Sequence, residues 1–88
     1  MARFIAVQEL PSAATQDEVI EAGQALANAP TNGTRWLRSW VVPEDNQLLS
    51  EWEARDEDDV HSALRSTPLF AVVAVHAVSV IEPAWFRG

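Results

Sequence analysis

The sequence predicts an α+β fold with elements in the order β-α-β-β-α-β. Three observations carry this. Two segments place apolar residues at helical spacing behind a capping signal, and four others are rich in Val, Ile and Trp. Only the four-residue turn Pro43-Glu44-Asp45-Asn46 separates the middle two strand-like segments, so they must form a hairpin.

The first strand is Arg3 to Leu10, ended by Pro11. Thr15-Gln16-Asp17-Glu18 has the form of a capping box, in which hydroxyl and carboxylate each accept from the other residue's amide. Val19, Ala22, Gly23 and Leu26 then give a helix one apolar face, and Pro30 with the turn Thr31-Asn32-Gly33 closes it. The hairpin runs from Thr34 to Val42 and returns from Gln47 to Arg55. Asp56-Glu57-Asp58-Asp59 opens a second helix, where the macrodipole favours negative charge, and Val60, Ala63 and Leu64 form its buried stripe. Pro68 ends that helix, and Leu69 to Ile81 is the fourth strand. Residues 83–88, with Trp85 and Phe86, form a short C-terminal tail.

This is the ferredoxin-like arrangement, expected as one domain over residues 1–88. Right-handed crossovers put both helices on one face of a four-stranded antiparallel sheet.

Composition removes several functions. Thirteen acidic residues against six basic ones give a net charge of −7, which argues against nucleic acid, whose phosphates need Lys and Arg. Every basic residue is Arg, so there is no lysine for Schiff-base chemistry, and without cysteine there is no thiolate nucleophile, disulfide or Cys-ligated metal. No cofactor is required by these residues. No apolar run approaches the roughly 20 residues of a membrane span, and the N-terminus lacks the apolar stretch of a signal peptide. Cytoplasmic localisation is the expectation, with no membrane partner.

The face left bare by the helices needs a cover. The fourth strand is apolar on both sides, with Val73, Val75 and Ala77 alternating with Val72, Ala74 and Val78. Strict alternation puts Trp36 and Trp40 on one face with Arg38, and Trp52 is expected to join them, with Ser50 two residues before it. Burying a Trp is worth several kcal/mol at about 25 cal/mol per Å². A second copy, sheet against sheet, is therefore expected: a homodimer or higher homo-oligomer forming a dimeric α/β barrel. Its centre either is closed by the tryptophans or encloses a small organic ligand. In the second case Trp36, Arg38, Trp40, Ser50 and Trp52 are the ligand-binding candidates, with Arg38 meeting an acidic group. Arg38 has another potential partner in Glu51 or Glu53, reached through a bend in the hairpin.

His76 and His61 are the candidate acid–base catalysts, being the groups that titrate near neutral pH unperturbed. The alternatives are a hydrogen-bonded histidine in the sheet and a helix-surface histidine. Two His residues 15 apart are not a local metal motif, and Asp56 to Asp59 lacks the spacing of a calcium loop, so no metal ligand is assigned.

Met1-Ala2-Arg3-Phe4-Ile5, Arg35-Trp36-Leu37-Arg38-Ser39-Trp40-Val41, Glu51-Trp52-Glu53-Ala54 and Val80-Ile81-Glu82-Pro83 resemble a ferredoxin-like family named for a nickel-binding actinobacterial member. The resemblance covers most of the chain and implies a nickel-type metal-binding protein. Members commonly carry a Cys where this chain has Ser50 and a His near its Ala63, with His61 two positions away. The second half, Asp59-Val60-His61-Ser62-Ala63-Leu64 followed by Pro68-Leu69-Phe70, is similar to muconolactone isomerases over about 25 residues. That similarity implies proton-shuttle chemistry, so a cofactor-free isomerase, cyclase or monooxygenase stands beside the binding protein.

Overall fold

The computed structural model describes residues 1–28, 33–65 and 67–87. Four strands, β1 (Ala2–Glu9), β2 (Arg35–Val42), β3 (Gln47–Ala54) and β4 (Val72–Val78), form one antiparallel sheet in the order β2-β3-β1-β4. Helices α1 (Gln16–Asn28) and α2 (Glu57–Leu64) complete the ferredoxin-like fold. Of the turn expected at Pro30 and Thr31-Asn32-Gly33, Gly33 stands in the left-handed region at φ 90°, and Pro30, Thr31 and Asn32 lie outside the described residues.

Local chemistry sets the helix starts. The Glu18 amide donates to Thr15 Oγ1 at 3.2 Å, and the Thr15 amide donates to Glu18 Oε1 at 3.3 Å, a closed capping box. Asp56 caps α2 by accepting from the Asp59 amide at 2.9 Å. Asp59 also accepts from Arg55 at 2.8 Å, and this hydrogen bond holds the guanidinium above its ordinary pKa.

The hairpin turn is a 3-10 turn, Pro43–Asp45, closed by Asn46 in the left-handed region at φ 49°, a conformation Asn tolerates. The fourth strand is shorter than the expected Leu69 to Ile81. The chain is still turning where the Phe70 amide donates to the Thr67 carbonyl, and the pairing with β1 ends at Arg3 opposite Val78.

The core lies between helices and sheet. Phe4, Ala6, Trp52 and Ala54 from the strands meet Leu26 of α1 and Val60, Ala63 and Leu64 of α2. Of the expected α1 face only Leu26 is fully buried, while Val19, Ala22 and Gly23 are half-buried. Within this core Ser50 Oγ donates to Gln8 Oε1 at 2.8 Å, and Gln8 Nε2 donates to the Phe70 carbonyl at 3.3 Å. That bridge joins β3, β1 and the entry to β4 beneath the helices.

Candidate functional site

Directly paired residues of neighbouring strands share a face of the sheet, so the register maps both faces. On the helix-covered face one row reads Trp36, Trp52, Phe4, Ala77 and the next reads Ser39, Ser50, Ala6, Val75. On the uncovered face the rows are Arg35, Glu53, Arg3, Val78; then Arg38, Glu51, Ile5, His76; then Trp40, Leu49, Val7, Ala74.

This map corrects the expected cluster of three tryptophans. The pairing of β2 with β3 shifts between Trp36 and Arg38, leaving Leu37 as an extra residue. A bulge of this kind reverses the facing of everything beyond it, which period-2 alternation cannot anticipate. Trp36 therefore stands opposite Trp52 on the helix-covered face, while Arg38 and Trp40 occupy the uncovered one. Trp52 is fully buried under the helices, and Trp36 stacks on it with ring centroids 6.4 Å apart and planes 21° from parallel. The Trp36 indole N–H donates to Ser39 Oγ at 2.8 Å, whereas the buried Trp52 Nε1 has no hydrogen-bond partner among the described residues. Ser50 too belongs to the core, spent on Gln8.

What the uncovered face does bring together is a ladder of charge beside an apolar row. Glu51 accepts from Arg3 Nη1 at 2.7 Å and meets Arg38 Nε at 2.9 Å. Glu53 lies 3.7 Å from Arg3 and 3.6 Å from Arg35. The two guanidiniums shield Glu51, so it is only 8% exposed although no helix covers it. The ion-paired ladder itself sets three Arg against two Glu, one formal positive charge in excess within the cluster, while Glu9 adds a carboxylate at the far end of the same face. Arg38 spends Nε on Glu51, and its side chain is 65% exposed, which leaves the terminal nitrogens accessible to a ligand carboxylate. Trp40, 45% exposed, lies on the same strand and face.

The two histidines do not converge. His76 is exposed on the uncovered face, in the row of Arg38 but three strand spacings away, about 14 Å. His61 is on α2, on the other side of the sheet, with Nε2 3.7 Å from Glu57. It borders a shallow cleft of about 290 Å³ with Leu64 and Phe70. Another cleft of about 380 Å³, lined by Glu9, Asp45 and Leu69 among others, holds none of the candidate residues.

As metal ligands these residues are poorly placed. Among the described residues, which include every His, Asp and Glu of the chain, no three come together in a group that could hold an ion. The carboxylates nearest each other on the sheet are engaged by guanidinium groups. The residues present do not fit a metal centre within one protomer.

Sequence reading alone missed Arg3 as part of this site. Its signal was present: Arg3 lies in the period-2 pattern of β1 on the face opposite Phe4 and Ala6, but only the register shows Glu51 and Glu53 beside it.

Comparison with known proteins agrees with this architecture. The structure is similar to the crystal structure of SCO4226 from Streptomyces coelicolor A3(2), with a TM-score of 0.73 at 20% identity, over 92% of this chain and 100% of that one. No curated protein matches the chain. The family described as nickel responsive protein SCO4226-like matches residues 4–78, which take in both helices, β2, β3 and β4 entire and β1 from Phe4 onward. The chain therefore belongs to the nickel responsive protein SCO4226-like family.

Proposed function

We propose that the protein is a homodimeric, small-ligand-binding barrel in which two sheets pack through their uncovered faces around an acidic, apolar or aromatic molecule. The observation that carries this reading is the juxtaposition on one face of a net-positive ion-pair ladder and the apolar row Trp40, Leu49, Val7, Ala74. Arg38 would orient the ligand's carboxylate and Trp40 would wall its apolar body. Trp36, Trp52 and Ser50 would act from behind the sheet, holding β2 and β3 in position rather than touching the ligand. Among the described residues no helix is long and apolar enough to cross a membrane, and the proposed site of action is the cytoplasm.

Two measurements test the proposal. Sedimentation equilibrium should give a dimer at micromolar protein, and a monomer there would refute the barrel. Small aromatic acids should quench Trp fluorescence, and Arg38→Ala should weaken that binding about 10-fold or more, as expected for a lost charge-assisted hydrogen bond. Equal quenching of both proteins would remove Arg38 from the site.

A second reading, a cofactor-free enzyme, rests on His76 sharing a row with Arg38 and Glu51. In an enclosed barrel that imidazole would face the ligand space as an acid–base group. Turnover of a bound ligand, abolished by His76→Ala while binding persists, would establish it; unchanged turnover in that variant would dismiss it.

A further inference from the structure

We infer that this chain keeps the fold of a nickel responsive family without a nickel centre of its own, its central polar positions being given over to ion pairs and a hydrogen-bonded bridge. The argument starts from donor chemistry. Nickel favours imidazole and thiolate donors, with carboxylates as weaker companions. The chain has no thiolate, and its two imidazoles lie on opposite sides of the sheet.

The carboxylates at the sheet centre offer no substitute. Both oxygens of Glu51 are occupied, one by Arg3 at 2.7 Å and the other by Arg38 at 2.9 Å. Glu53 lies between Arg3 and Arg35. A divalent cation arriving there would meet three guanidinium charges within a few ångströms and would have to displace them, so the electrostatics oppose it. The Ser50 hydroxyl, buried at the middle of β3, already donates to Gln8. On α2, Asp56 caps the helix and Asp59 holds Arg55. The closest pairing of an imidazole with a carboxylate is His61 and Glu57, 3.7 Å apart on an exposed helix face. Among the described residues no third His, Asp or Glu converges with them, which leaves the pair one short of the three donors that even open metal sites use.

The test uses the untagged full chain with nickel as the probe. A site with a dissociation constant near 1 µM, offered about 100 µM nickel, would raise the melting temperature of a domain this small by roughly 10 °C or more. The expected result is a rise below about 5 °C, and less than about 0.2 nickel bound per chain at equilibrium dialysis against buffer holding about 10 µM free nickel, where a site of about 1 µM affinity would be about nine-tenths filled. A larger rise, or binding near one nickel per chain or per dimer, overturns the inference. His61→Ala and His76→Ala variants would then locate the overlooked site, the second reporting a centre assembled between two copies. Neither measurement depends on the protein's having a dimeric ligand site.

Discussion

Replacing Ser50 by alanine removes one hydroxyl from the middle of the sheet, and its consequence follows from what that hydroxyl touches. Ser50 is 1% exposed and donates at 2.8 Å to Gln8 Oε1, and Gln8 is itself 1% exposed. In Ser50→Ala the amide oxygen keeps its burial and loses its donor. Water cannot reach it without opening the helix–sheet interface. Leaving such a group unsatisfied costs about 1–3 kcal/mol. A domain this small loses about 4–8 °C in Tm per kcal/mol, so the expected drop is roughly 5–20 °C. Thermal and urea unfolding followed by circular dichroism would measure it. The double variant Gln8→Met with Ser50→Ala removes the orphaned amide oxygen while also taking the Gln8 donor from the Phe70 carbonyl, so it should be less destabilised than the sum of the two single variants, with a coupling of about 0.5–3 kcal/mol. A Tm change under about 2 °C for Ser50→Ala, or strictly additive single effects, would refute the bridge as a source of stability. Because Ser50 lies behind the sheet, ligand quenching measured in the folded variant should be unchanged.

Other expectations rest on separate contacts. Thr15→Ala opens the capping box of α1 and should cost about 0.5–2 kcal/mol in urea unfolding, with the far-UV helical signal reduced before the main transition. Glu51→Gln leaves Arg3 and Arg38 without their shared anion; with Arg38 mostly exposed, the loss should be about 1–2 kcal/mol and should shrink in high salt, as a comparison of melts at low and high ionic strength would show. Leu49→Lys puts a charge in the middle of the apolar row on the uncovered face, and sedimentation should find a folded monomer; a dimer of unchanged affinity would place the interface elsewhere.

Much of the architecture was already determined by residue order. Thr15 and Glu18, Asp56 and Asp59, and the Pro43–Asn46 turn act through neighbours a few residues away, so their helix starts and hairpin are legible in a linear chain. The β-α-β-β-α-β order belongs to the same class. Composition likewise sufficed to exclude thiolate and lysine chemistry, because a residue that is absent is absent in every fold. The facing of the hairpin was different. A single extra residue at Leu37 turns Trp36 toward the helices and leaves Arg38 and Trp40 on the open side, and a bulge has no periodic signature in sequence. The residue-by-residue register between distant strands was equally hidden. Arg3 and Glu51 are 48 positions apart and meet at 2.7 Å because β1 lies beside β3 in the sheet. Residue type and spacing thus determined the elements and the inventory of usable groups. Long-range strand pairing and one bulge decided which of those groups share a surface, because the faces of a sheet are set by register across strands and not by order along them.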